Sequence, residues 1–265
     1  LKLLSAYEFT LELRTSDGKT ITLDKYAEPI VISLPVSAEA NGALSGIYDG
    51  NSNDSIVYVG GSLRGDWITA EINHPSLYVA IELDKTFDDL PSGHWAQLAV
   101  KHLTTKQIIE GVTVNRFEPS RNVTRAEFTS MLVRLLGLKG EGQASFTDVS
   151  ADQWFAAEAA LAAKAGIVQG YTDGTFAPSQ TITRQEMAAM LVRALTYKTT
   201  ITPKASQVAF ADLAESPKWA VDVILAANSL GLVNGYSAEE FRPLGLGTRA
   251  ESAKMMYNLV EFLDK

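Results

Sequence analysis

Three segments of this chain carry the same residues at the same spacing, and that repetition constrains the fold more than any other feature. Each segment opens Phe-x-Asp (Phe87 and Asp89, Phe146 and Asp148, Phe210 and Asp212) and runs on to a Trp (Trp95, Trp154, Trp219). Sixteen residues after each Trp stands a Gly (Gly111, Gly170, Gly235), and six further on a Phe (Phe117, Phe176, Phe241). Two residues later comes Pro (Pro119, Pro178, Pro243), and five beyond it Thr-Arg-x-Glu: Thr124 to Glu127, Thr183 to Glu186, Thr248 to Glu251. A tandem unit of this kind buries its apolar face against its neighbours. A chain that states a unit three times builds a surface from the units rather than a single active site.

Each unit reads as helix, loop, helix. The first helix runs from near the Trp to Gly166 or Gly231, where Gly suits the left-handed position after a helix; the first copy has Gln107 there, so its helix is expected to end less cleanly. The second helix opens at the Thr. In the middle copy it carries an apolar stripe of Met187, Met190, Leu191, Ala194 and Leu195 at helical spacing. The loop from Gly170 to Gln180 holds Gly, Asp, Pro and Ser and reads as a structured turn.

Thr-x-x-Glu at a helix start is a capping box, in which each side chain satisfies the other's backbone N–H. That accounts for Thr and Glu and leaves the Arg between them unexplained. A cation at the first helical position opposes the macrodipole, so Arg125, Arg184 and Arg249 carry a local cost in all three copies. Free N–H groups plus a guanidinium make a site for an anion such as a carboxylate or phosphate. A salt bridge to Asp89, Asp148 or Asp212 is the structural alternative. The three Trp read as core, with a ligand platform as the other reading. The Phe of Phe-x-Asp reads as core, and its Asp either caps the first helix or accepts hydroxyl hydrogen bonds from a sugar. Tyr171-Thr172-Asp173-Gly174 lacks the alternating oxygen ligands and terminal Glu of a calcium loop, so no metal is expected.

The first 85 residues have a different texture. Phe9, Leu11 and Leu13 alternate with polar residues, Asp17-Gly18 gives a hairpin turn, and Thr20 to Leu23 pairs back. Further strands are expected at Ile30 to Leu34, Gly46 to Tyr48, Ile56 to Val59, Trp67 to Ile72 and Leu77 to Leu83. Strands at this spacing point to a small antiparallel sandwich. Between two of them lies Asn73-His74-Pro75-Ser76. It resembles the His-x-Ser site of self-cleaving β-sandwich modules of the ZU5/GAIN type, which have a bulky apolar residue where Pro75 stands. The resemblance implies Ser76 as nucleophile on the preceding carbonyl and His74 as its base. The plain alternative is a turn with a surface His.

Composition narrows the function classes. Hydrophobic content of 46% and charged content of 20% are those of a folded domain. A net charge of -8 argues against nucleic acid, whose partners carry a basic face. With no Cys there is no disulfide, thiol catalysis or thiolate metal site. No apolar run is long enough to cross a bilayer. The chain opens at Leu1 without a signal-peptide pattern and without Met, and is expected to be a fragment of a longer protein. Hydrolysis of a glycan by paired carboxylates is disfavoured, because the one repeated Glu is already a cap.

The run Phe-x-Asp-Val, Trp, Gly-Ile-Val-x-Gly-Tyr-x-Asp-Gly-Thr-Phe-x-Pro, Thr-Arg-x-Glu resembles the S-layer homology (SLH) domain, here in three copies over residues 87 to 263. The resemblance implies an all-α pseudo-threefold spindle (86–140, 141–204, 205–265), which with the β-sandwich-like domain read from the strand pattern (1–85) makes an α+β multidomain chain. It implies a non-catalytic anchor, without cofactor or membrane insertion. The partner would be cell-wall polysaccharide, a secondary polymer ending in pyruvylated N-acetylmannosamine on a Gram-positive envelope, with lateral contacts between copies in an S-layer. Location would be extracellular. Carried over by residue, Arg125, Arg184 and Arg249 would meet the pyruvate carboxylate and Asp89, Asp148 and Asp212 the sugar hydroxyls. Gly111, Gly170 and Gly235 would admit the ring. The loops depart from one another: Val114-Asn115 stands in place of Asp173-Gly174, and the third copy has Ser237-Ala238-Glu239-Glu240. Glu239 and Glu240 add negative charge beside a groove meant for an anion. The three grooves are expected to differ in affinity, with those using Arg184 and the best-preserved loop the ones occupied.

Overall fold

The structure, a computed structural model, describes residues 1–52, 55–142, 146–201, 208–214 and 216–264. It divides into two units: residues 1–86 with 101–107, and residues 87–100 with 108–265.

The first unit is antiparallel β. Strands β1 (Lys2–Phe9), β5 (Ser45–Ser52), β6 (Ser55–Gly60) and β9 (Ser76–Glu82) form one sheet in the order β1-β9-β5-β6. Strands β4 (Ile30–Pro35), β7 (Ser62–Arg64) and β8 (Trp67–Ile72) form a second in the order β4-β8-β7. The Asp17-Gly18 turn joins β2 (Glu12–Arg14) to β3 (Thr20–Thr22) with Leu13 opposite Ile21. Alternation sets what each strand buries: Ile32 and Leu34 of β4 and Ile68, Ala70 and Ile72 of β8 share a core with Ile47, Tyr78 and Ala80 of the larger sheet. One expectation fails here. Phe9, Leu11 and Leu13 alternate but do not share a strand: Phe9 ends β1 and packs on the core, while Leu11 and Leu13 are exposed. The short β7, set off by Gly60-Gly61 and Gly65, has too few residues for a periodic signal.

Among the described residues six α-helices follow: α1 (Gln97–Thr105), α2 (Arg125–Leu136), α3 (Ala156–Lys164), α4 (Arg184–Lys198), α5 (Lys218–Ser229) and α6 (Arg249–Leu263). Gly166 and Gly231 take φ of 72° just past α3 and α5, as expected of a left-handed terminus. Gln107 takes the same conformation at φ 54° without being Gly. Its side chain holds it there, accepting from Tyr58 N–H and donating to the Ile56 carbonyl. The first copy's helix thus ends as the others do, by a contact absent from the repeat itself.

The Thr-x-x-Glu capping boxes form at α2, α4 and α6, with both reciprocal hydrogen bonds present in each. Met187, Met190, Leu191, Ala194 and Leu195 are all buried. Immediately before these helices the three copies join in a closed cycle. Val123 N–H donates to the Gly247 carbonyl, Gly247 N–H to Ile182 and Ile182 N–H to Val123, at 2.9–3.0 Å.

Candidate ligand-binding grooves

Each capped helix docks its N-terminus on the loop of the next copy in the cycle. Arg125 N–H donates to the Gln180 carbonyl, and Ala126 N–H to Pro178. Arg184 and Gln185 do the same to Gly245 and Pro243, and Arg249 and Ala250 to Arg121 and Pro119. The third N–H goes to the capping Thr hydroxyl. The donors that would make a helix N-terminus an anion site are therefore taken. The expectation of free N–H groups beside the Arg is corrected: the first turn is an inter-repeat joint.

The arginine follows the same joint. Arg184 Nε donates to the Phe241 carbonyl at 2.8 Å, one terminal nitrogen to the Asn234 carbonyl at 2.9 Å and the other to Glu251 Oε1 at 2.7 Å. Arg125 repeats the pattern on Phe176, Gln169 and Glu186. Arg249 holds Phe117 and Glu110. All three are 5% exposed. Arg125 and Arg184 form ion pairs with the capping Glu of the next copy, whereas the third capping Glu, Glu127, is held by Arg121; the expected partners Asp89, Asp148 and Asp212 are occupied elsewhere. Burial lowers the pKa of Arg184, against the pull of Glu251. The cycle places Arg184 and the best-preserved loop in different grooves: Arg184 meets the third copy's loop, and Arg125 meets the second.

The Phe-x-Asp carboxylates neither cap a helix nor stand open. Asp89 accepts the N–H of Phe117 and Glu118, Asp148 those of Phe176 and Ala177, Asp212 those of Phe241 and Arg242. Glu118, Ala177 and Arg242 all have positive φ, 54–59°, directly before a Pro. Non-glycine residues seldom occupy that region, and a residue before Pro is restricted further. The carboxylate fills a concavity of successive N–H groups and holds the strained turn. At Asp89 burial pushes the pKa up, but the N–H groups of Phe117 and Glu118 prevail and hold it below the ordinary carboxylate value. The repeated Gly is a close approach. A Cβ on Gly170 would lie 2.8 Å from the Phe146 ring and from the Thr175 carbonyl, and one on Gly235 only 2.2 Å from the Ser237 carbonyl.

Two grooves open beside these joints, and each draws on all three copies. One, of about 560 Å³, has Arg125 of the first copy, Gly170, Tyr171 and Glu186 of the second and Trp219 of the third. The other, of about 410 Å³, has Arg184 of the second, Gly235, Tyr236 and Glu251 of the third and Trp95 of the first. The reading of Trp as core is overturned, because Trp95, Trp154 and Trp219 are 58%, 60% and 48% exposed. Their indole faces stay out because the buried aromatic positions are filled by Phe117, Phe176 and Phe241.

Two cations in these walls lie outside the repeated motif. Arg193, matched by Arg134 in the first copy, lines the first groove, and Lys254, whose position holds Ser130 and Ala189 in the other copies, lines the second. In the Arg125 groove Tyr171 OH donates to Glu186 Oε1 at 2.9 Å, beside the Arg125–Glu186 pair. The charge of Glu240, expected to disfavour an anion, is paired with Arg242 at 3.1 Å, and that guanidinium lies over the Tyr236 ring.

In the first unit, Ser76 Oγ donates to Asp49 Oδ1 at 2.5 Å, and His74 Nε2 lies 3.4 Å from Asp49 Oδ2. His74 Nδ1 is 3.1 Å from the Pro75 carbonyl oxygen. His74 and Ser76 are thus gathered around an Asp that sequence did not single out, and no hydrogen bond among the described contacts joins ring to hydroxyl. Burial first, then Asp49 and Tyr26, push the neighbouring Tyr78 phenol up to about 12.

The S-layer homology domain family matches residues 86–129, 145–188 and 209–253. The chain is 37% identical over 241 residues to an amylopullulanase of Thermoanaerobacterium thermosulfurigenes, a match covering 89% of this chain and 13% of that protein. It is 38% identical over 179 residues to the exoglucanase XynX of Acetivibrio thermocellus, covering 66% of this chain and 16% of that one. It is 33% identical over 176 residues to an S-layer protein of Bacillus thuringiensis subsp. finitimus, covering 65% and 21%. The chain thus spans about a fifth or less of the length of these relatives.

Proposed function

This chain belongs to the S-layer homology domain family, and from that membership we propose that it is a non-catalytic anchor holding a longer secreted protein on a Gram-positive cell wall. Its ligand in this reading is the secondary cell-wall polymer, recognised at ends of pyruvylated N-acetylmannosamine. One observation carries the reading: two grooves, each assembled from all three repeats, set an exposed Trp and a Tyr around a cationic wall. An indole face suits the apolar face of a sugar ring, and a cation suits a carboxylate ketal. Trp95 and Trp219 are the sugar platforms, and Gly170 and Gly235 keep the groove floor low. Asp148 and Asp212 stand behind the grooves and shape the loops. The cycle of hydrogen bonds through Val123, Gly247 and Ile182 supports a pseudo-threefold spindle for residues 87–263.

No helix among the described residues is long and apolar enough to cross a membrane. A single groove holding one sugar binds modestly, and two grooves on one polymer raise retention through effective concentration. The first unit belongs, in this reading, to the exported part of the longer protein. Co-sedimentation with sacculi tests the proposal: the chain should pellet with sacculi that keep their secondary polymer and stay soluble once it is stripped chemically. Equal binding to stripped peptidoglycan would overturn the polymer as ligand.

A further inference from the structure

Resting on that anchoring reading, we infer that the anionic group is held by Arg193 in one groove and Lys254 in the other. The repeated arginines instead serve to join the repeats. Three observations lead there. First, a guanidinium has five N–H groups, and on Arg184 three of them already reach Phe241, Asn234 and Glu251. Arg125 is engaged likewise. An arginine with a carboxylate at hydrogen-bond distance presents little net charge to a third group. Second, Arg193 and Lys254 have no carboxylate partner among the described residues. Arg193 donates to the Gln169 side-chain oxygen at 3.2 Å, and Lys254 lies 5.0 Å from the Tyr257 ring. Each groove is lined by a motif Arg, its Glu and one further cation, so each carries one positive charge in excess. Burial lowers the Arg193 pKa, a cost that an anion bound at Arg193 offsets. Third, the groove of Arg193 is also lined by Gln185, whose residue is 8% exposed and whose side-chain oxygen has no hydrogen-bond partner. A buried acceptor without a donor is costly, and a sugar hydroxyl would satisfy it.

The third copy of the arrangement shows what the inference excludes. Arg134 occupies the Arg193 position on α2, and its guanidinium is 3.9 Å from Glu158. Arg121 forms a two-pronged pair with Glu127 beside Arg249. Arg249 itself bonds only carbonyls among the described residues, but Glu118 joins Glu127 on Arg121, so three cations there face three carboxylates, and Val112 replaces Tyr171 and Tyr236.

The test uses the whole chain, sacculi that retain their secondary polymer, and the same sacculi stripped of it. Arg193→Ala and Lys254→Ala should each lower retention about tenfold, the scale of one charge-assisted contact. The double variant should lose binding to the level of stripped sacculi. Both side chains reach the groove surface and anchor no other repeat, so melting temperature should stay at the wild-type value. Arg193→Lys, which keeps the charge, should retain most of the binding. A double variant that folds and binds like wild type overturns the assignment while leaving the anchoring reading intact. A wild-type chain that fails to pellet with unstripped sacculi overturns the anchoring reading and the assignment with it.

Discussion

The guanidinium of Arg184, in the second repeat, donates to the carboxylate of Glu251, in the third, at 2.7 Å, with the two side chains 6% and 20% exposed. The same Glu251 accepts the N–H and hydroxyl of its own cap, Thr248. One carboxylate therefore ends a helix and fastens two repeats.

Removing one partner of a buried pair leaves the other charge uncompensated. Arg184→Ala should cost about 3 kcal/mol of unfolding free energy, measured by urea denaturation. Arg184→Lys should recover little of it, since an ammonium on a flexible stem cannot span three acceptors. Among the described residues Arg249 hydrogen-bonds only carbonyls, and Glu127 is held by Arg121. Arg249→Lys should therefore cost less than Arg184→Lys. Equal losses would mean that the Glu251 contact adds nothing.

The strained turn before each Pro gives a second expectation. Ala177 sits at φ 54°, where Gly is free of the steric cost borne by a Cβ. Ala177→Gly should leave stability unchanged or raise it by up to about 1 kcal/mol, set against the greater freedom of the unfolded chain. Asp148→Ala should cost about 2 kcal/mol, because two N–H groups lose their acceptor. In the double variant the loss should be smaller than the sum of the two single changes, measured by the same denaturation curves. Full additivity would mean that Asp148 does not hold the turn.

Much of this was legible in the residues and some was not, for physical reasons. Thr183 and Glu186 announce a helix start because capping is local, and the Met187 to Leu195 stripe announces its buried face because periodicity is local. The role of Asp148 was misjudged because its partners, Phe176 and Ala177, lie a whole helix away. The motif Arg reads as unexplained by its own helix, which is correct, and its explanation lies in the next repeat. Trp219 was misplaced because an aromatic residue is a core signal by composition alone, and only the packed Phe241 shows the core already filled. Arg193 and Lys254 lie outside the Thr-Arg-x-Glu motif, and Lys254 has no basic counterpart in the other copies, so a reading built on the motif passes over them.

Acid should loosen the repeats before it unfolds a chain without such pairs. Glu186 is pushed up by burial but held below its ordinary 4.5 by Thr183, Tyr171 and Arg125. Glu127 is likewise pushed up by burial and held down by Arg121 and Thr124. A carboxylate with a depressed folded-state pKa stabilises the fold fully above its unfolded value, and that contribution fades as pH falls through the depressed one. Melting temperature should thus be flat on these two groups above about pH 5.5 and fall steadily below about pH 4.5. In Glu186→Gln the fall should be shallower from a lower plateau. An unchanged slope in that variant would assign the acid sensitivity to other groups.

Stoichiometry follows from the charge pattern of the three joints. The grooves of Arg125 and Arg184 each carry an uncompensated cation and a Tyr, whereas the joint of Arg249 has Arg134 beside Glu158, Arg121 on Glu127 and Val112 for Tyr. Titration calorimetry of the intact chain with soluble pyruvylated N-acetylmannosamine should therefore saturate at two equivalents. Arg193→Ala or Lys254→Ala should each reduce that to one in the range where wild type saturates, since a tenfold weaker site drops out of it. Raising salt from about 0.05 to 0.5 M should weaken both sites, because a contact to one partly exposed charge is screened at that ionic strength. Three equivalents of equal affinity would show that a compensated joint binds as well as an uncompensated one, and the excess charge would then carry no weight in recognition.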